Sequence, residues 1–121
     1  MPPLVLYRRR AALRPAVIED LLALAEAGQQ QAVDAAILML ADFYRHGTES
    51  RYVKKLQGLP VWELKTQARG GAKGGMRVYF YFRTDGAAVI VNAESKAGDA
   101  PGLAFREAAL VAFAAQRNGH A

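Results

Sequence analysis

An eight-residue alternation from Met76 to Arg83 constrains this chain more than any other feature. Met76, Val78, Phe80 and Phe82 take turns with Arg77, Tyr79, Tyr81 and Arg83. Successive side chains of a strand point to opposite faces. One face is therefore apolar and suited to a core, and the other carries two arginines and two tyrosines. The alternation belongs to a longer stretch, Val61 to Arg83, that reads as two strands (Val61–Gln67 and Met76–Arg83) joined by a basic loop with four glycines, Ala68 to Gly75.

The remaining elements fall around this hairpin. Leu4–Arg8 is a short strand ending in the triplet Arg8-Arg9-Arg10, read as a solvated strand end. Pro15–Ala27 reads as a helix: Pro15 suits its first turn, Glu19 and Asp20 suit its dipole, and Ile18, Leu21, Leu22 and Ala25 make an apolar stripe. Gln30–Arg45 reads as a second helix, with Val33, Ile37, Leu40, Ala41 and Tyr44 along one face and Ala36 and Leu38 widening it. The short turn between the helices predicts an antiparallel hairpin, and His46 is a capping cation at its end. Arg51–Gln57 follows. Asp85-Gly86 signals a tight turn before Ala87–Ala93, whose Val89-Ile90-Val91 suits a strand buried on both faces. Leu103–Arg117 closes the chain as a helix, with Leu103, Leu110 and Phe113 on one side and Glu107 interrupting the pattern. The expected architecture is α+β: a small antiparallel sheet (N-terminal strand plus three-stranded meander), with the helical hairpin and the C-terminal helix packed on one face. Glu63, Lys65, Arg77, Tyr79, Tyr81 and Arg83 are then left on an open face.

The chain has 121 residues, 52% of them hydrophobic, the size and make-up of one domain with its own core. It has no cysteine, which rules out thiolate chemistry and fits a reducing, cytoplasmic setting. Apolar residues precede the N-terminal arginines, the reverse of a signal peptide, and no run approaches a membrane span. The formal net charge is +5, and its placement says more than its size. Residues 51–96 hold nine bases and three acids, while the rest of the chain holds seven bases and eight acids. The excess sits in the sheet region, where it would draw a polyanion such as nucleic acid.

Several chemistries lack their residues. GGAKGG is followed by Met76-Arg77, so the P-loop spacing fails. There is no H-E-x-x-H motif and no Cys/His cluster, and Ser50 and Ser95 sit in no nucleophile motif. No metal or other cofactor is expected. What remains is a basic, tyrosine-bearing sheet face. Guanidinium groups hold phosphate and stabilise charge growing on it, and tyrosine rings offer bases a stacking surface. RNA supplies its own nucleophile in the 2′-hydroxyl, so the protein need only move protons and neutralise phosphate. Arg77 is the leading phosphate contact, with Glu63 either orienting it or acting as a base. Lys54 and Lys55 precede the first hairpin strand. Lys65, Arg69, Lys73, Tyr79, Tyr81 and Arg83 are candidate RNA contacts, although cross-strand packing also accounts for the tyrosines.

The run YVKKLQGLPVWELKTQARGGAKGGMRVYFYF, followed by a D-G turn, an apolar strand, a lysine and Pro101 before the last helix, resembles the RelE/ParE superfamily of bacterial toxins. It is most similar to the phage-derived HigB-like branch, whose pattern is K-x-L, W-E-L-R, a glycine and R-V-x-Y/F. The matching residues are Lys54/Lys55–Leu56, Trp62-Glu63-Leu64-Lys65, Gly75 and Arg77-Val78-Tyr79-Phe80. The resemblance implies a RelE-like fold and a toxin of a type II toxin–antitoxin pair that cleaves messenger RNA on the ribosome without a metal. It implies catalytic roles for Lys54 or Lys55, Arg77 and Lys96, and a helix-turn-helix, HigA-like antitoxin as partner. A ParE-like inhibitor of DNA gyrase and an inactive nucleic-acid-binding member are the alternatives.

Overall fold

A computed structural model describes residues 3–66, 75–95 and 102–118. The order is β1 (Leu4–Leu6), α1 (Ala16–Glu26), α2 (Gln30–His46), a short 3-10 turn, β2 (Val53–Lys55), β3 (Trp62–Lys65), β4 (Met76–Phe82), β5 (Ala88–Ser95) and α3 (Leu103–Arg117). The fold is α+β: the described residues form three helices and one five-stranded mixed sheet in the order β1-β5-β4-β3-β2.

The expected sheet is corrected in two respects. β1 pairs in parallel with β5, Leu4 beside Ala88 and Leu6 beside Ile90. The helical hairpin delivers the chain to the far edge of the sheet, where β2 runs opposite to β1. From there β2 to β5 reverse three times, so β5 arrives beside β1 running the same way. In addition, the stretch after α2 contributes a strand of its own, β2, antiparallel to β3.

The helices do not share one face. α1 and α2 cover Leu64, Met76, Val78, Phe80, Ala88, Ile90 and Ala93 with Val17, Leu21, Val33, Met39 and Phe43. α3 covers the opposite face, where Ala108 and Ala112 join Val61, Tyr79, Tyr81, Val89 and Val91. The face expected to be open is thus a second core, because the rings of Tyr79 and Tyr81 are mostly apolar surface that α3 removes from water. The apolar stripes shift accordingly. α3 buries its alanine side and leaves Leu103 and Leu110 83% and 71% exposed. α2 buries Ala32, Val33, Ala36, Met39 and Phe43 and leaves Ile37, Leu38 and Tyr44 outside. Alanine faces win because they let helix and sheet approach closely.

Arg9 anchors α3 to this second face. Its guanidinium donates twice to the Glu107 carboxylate (2.7 and 2.8 Å) and also reaches Glu19 and Asp20 (both 3.1 Å). The middle base of the triplet therefore ties the loop after β1 to α1 and α3. The hydrogen bond from Arg9 pulls the Glu107 carboxyl below its ordinary range. Asn92 holds the same helix, its amide donating to Ala104 O (2.8 Å) and to Glu107 (2.6 Å).

The β3–β4 hairpin closes where Met76 N–H donates to Thr66 Oγ1 (3.0 Å) and Thr66 N–H donates to Met76 O (3.2 Å). Gly75 enters β4 there at φ +74°, and a Cβ on it would collide with the Thr66 carbonyl oxygen. Gly75→Ala therefore combines a left-handed backbone with a clash against backbone. It is expected to cost at least about 2 kcal/mol in urea unfolding; a loss within error of zero would mean that the hairpin base yields.

Candidate functional site

The sheet brings seven polar side chains onto the α3-facing side in two adjacent rows. Lys54 on β2 pairs with Glu63 on β3, Glu63 with Tyr79 on β4, and Tyr79 with Asn92 on β5. In the next row Lys65 pairs with Arg77, and Arg77 with Glu94. Positions two apart share a face, so both rows face the same way.

A bulge completes this arrangement. The register of β4 against β5 slips between Tyr79, opposite Asn92, and Phe80, opposite Ile90, leaving Val91 as the extra residue. Strict alternation would place Val89, Val91 and Ala93 together and turn Asn92 and Glu94 to the α1–α2 side. The slip resets the period. Val89 and Val91 join the core under α3, Ala93 joins the other core, and Asn92 and Glu94 come to face α3. The Tyr79 hydroxyl donates to Glu94 Oε2 at 2.7 Å. Glu94 was absent from the residues expected at the site, since period two alone hides it; the polar pair Asn92 and Glu94 after an apolar run is the signal that could have found it.

Glu63 and Arg77 are each only 4% exposed. They surround the Tyr79 hydroxyl together with Glu94. Burial, first of all, pushes the Tyr79 phenol well above its ordinary value; its hydrogen bond to Glu94 and the charges of Glu94 and Glu63 add to this, and Arg77 opposes it. Tyr79 also meets Phe105 of α3 edge to face at 5.7 Å. A base can stack on neither Tyr79 nor Tyr81, since both rings are buried in the α3 core.

The tyrosines make stability depend on alkaline pH. In the folded chain Tyr79 and Tyr81 hold their protons above the ordinary phenol value of about 10. The unfolded chain then binds fewer protons than the native one, and stability falls as pH rises past about 10. Urea unfolding at pH 9 and pH 11 should show the loss, and Tyr79→Phe should flatten it. An unchanged slope in that variant would remove Tyr79 as a cause.

The other expected residues go elsewhere. Lys55 lies on the opposite face, its ammonium 5.5 Å from the Trp62 ring centre and donating to Leu59 O (3.0 Å). Lys54 is thus the lysine that joins the cluster. Arg83, at the far end of β4, is engaged by Asp85 at 2.6 Å, an exposed pair closing the tight turn. His46 sits 3.7 Å from Asp42 at the end of α2. Arg69, Lys73 and Lys96 lie outside the described residues.

On the β5 side of Glu94, a cavity of about 470 Å³ is lined by Arg9, Asp20, Ala93, Glu94, Leu103, Ala104 and Glu107. Three carboxylates around one arginine disfavour a phosphate there. The side able to take an anion is the one with Lys54, exposed, and Lys65, half-buried. Among the described residues no three His, Asp or Glu side chains are placed to hold a metal ion, and no helix is long and apolar enough to cross a membrane.

Gly102, just before α3, packs against this site. A Cβ there would run into the Glu94 carboxylate. Because the obstacle is the end of a flexible side chain, Gly102→Ala is expected to change stability by less than about 1 kcal/mol while displacing Glu94 from Tyr79. The alkaline stability profile reads that displacement, and a profile identical to wild type would show that Glu94 stays in place.

No protein-family model and no curated protein matches this chain.

Proposed function

We propose that the chain is the toxin of a toxin–antitoxin pair and cleaves messenger RNA on the ribosome, with Lys54, Glu63, Arg77 and Glu94 as its working groups. The observation that carries the reading is their placement on adjacent rows of one sheet face, two cations alternating with two carboxylates around a buried phenol. The order of elements and the residues Lys54, Trp62-Glu63-Leu64, Gly75 and Arg77-Val78 agree with the resemblance to RelE/HigB toxins. In this reading the RNA 2′-oxygen attacks the neighbouring phosphorus and the bond to the 5′-oxygen breaks, leaving a 2′,3′-cyclic phosphate. A carboxylate, Glu94 or Glu63, takes the 2′ proton. Arg77 and Lys54 neutralise the phosphate, and the departing 5′-oxygen gains a proton from Lys54 or water. The antitoxin is a helix-turn-helix protein that blocks this face.

One observation favours a second reading, a member that binds without cleaving, including a gyrase inhibitor: Arg77 is almost entirely buried, so a phosphate reaches it only if its surroundings move. Induced expression with primer extension on a reporter messenger RNA separates the two. Growth arrest with new cleavage ends, reduced at least about tenfold in the exposed variant Lys54→Ala, supports the nuclease. Arrest without new ends supports the binder, and absence of arrest overturns the toxin reading.

A further inference from the structure

The outer face of α2 carries an apolar stripe that neither core uses. At about 100° per residue, Ile37, Leu38, Ala41 and Tyr44 fall on the side opposite Ala36, Met39 and Phe43. Ile37, Leu38 and Tyr44 are 55%, 58% and 62% exposed. Three large apolar side chains clustered on one exposed helix face mark an interaction surface more than scattered exposure does.

The ends of the stripe identify its partner. Asp34 lies at its N-terminal end, held by the Gln30 amide at 2.9 Å, and Arg45 at its C-terminal end; both are exposed. A stripe with an acid at one end and a base at the other is complementary to itself turned through 180°. Two α2 helices crossing antiparallel near Leu38 and Ala41 set Asp34 of each copy beside Arg45 and Tyr44 of the other. Leu38 of one copy then lies over Ala41 of the other, large against small, which lets the axes approach. Like charge does not hold the copies apart here, because α2 contains two acids and, besides His46, only one base.

We propose that the chain forms a twofold dimer through the outer face of α2. The proposal is independent of the toxin reading, because the stripe lies on the α1–α2 side of the sheet and the Lys54–Glu94 rows face α3.

Sedimentation equilibrium of the full chain from low to high micromolar concentration tests it. The wild type should approach twice its 13.1 kDa mass. Leu38→Lys places a charge at the centre of the contact in both copies and should raise the dissociation constant at least about a hundredfold. Asp34→Arg sets like charges together at both ends and should raise it about tenfold. The double exchange Asp34→Arg with Arg45→Asp should return it to within about threefold of wild type, since only pairing between copies is restored. All three positions are exposed, so the melting curve of the dilute monomer should not move. A wild type monomeric at every concentration overturns the proposal, as does a dimer indifferent to Leu38→Lys or a double exchange no tighter than Asp34→Arg alone. Protection of the Ile37–Tyr44 amides only on adding a different protein would give the face to that protein and overturn it too.

Discussion

Arg77→Ala is expected to lower cleavage of a reporter messenger RNA by about 10²–10³-fold, the usual cost of losing a group aimed at charge that develops in the transition state. In the proposed reaction that charge grows on the phosphate oxygens. The side chain facing Glu94 across the sheet and flanked by Lys65 is the only arginine in the two polar rows. The alanine variant also leaves Glu63 and Glu94 beside Tyr79 without their guanidinium. Removing one member of a buried charged group costs about 3–5 kcal/mol, so lost activity could reflect lost fold. Arg77→Lys separates the two effects. It keeps a positive charge among the carboxylates but not the two-pronged grip on phosphate. It should retain most of the wild-type melting temperature while cleavage falls about 10–100-fold. Cleavage at the wild-type rate in Arg77→Lys would sink the bidentate role. Full stability with no cleavage in both variants would place Arg77 at the centre of the chemistry.

Phe43→Ala should be among the most destabilising single changes in the chain. Phe43 is fully buried on α2, and its ring lies 4.7 Å from that of Phe80 on β4. Phe80 in turn packs with Trp62 and Phe82. Alanine removes the ring that joins this aromatic row to the helix, and a fixed sheet on one side cannot close the void. The expected loss is about 3–5 kcal/mol, or roughly 10–20 °C in melting temperature for a domain of this size. A loss below about 1 kcal/mol would mean that α2 slides into the gap. Because Phe43 and the Lys54–Glu94 rows lie on opposite faces, a variant held folded by low temperature should keep whatever activity the wild type has.

Much of the fold was legible because local patterns carried it. The alternation from Met76 to Phe82 became β4, the Asp85-Gly86 turn joined it to β5, and both members of the helical hairpin ended within a residue or two of their expected bounds. The site was only partly legible. Lys54 and Lys55 are neighbours in the chain, and only their strand placed them on opposite faces. Glu94 was hidden by a one-residue bulge that no period in the sequence announces.

Which residues alternate, where helices begin and where turns fall are properties of a few neighbouring residues, and sequence was enough to determine them. Which face each element buries was a tertiary decision. Ile37, Ala41 and Tyr44 looked like core because they repeat at helical spacing, but α2 carries apolar residues nearly all round and its alanine side packs closer. Tyr79 and Tyr81 looked like an open platform until α3, anchored by Arg9 and Asn92 through Glu107, covered them. Those anchors join residues up to 98 positions apart. Interactions over such separations leave no period or local motif in the sequence, and their outcome depends on how the whole chain packs.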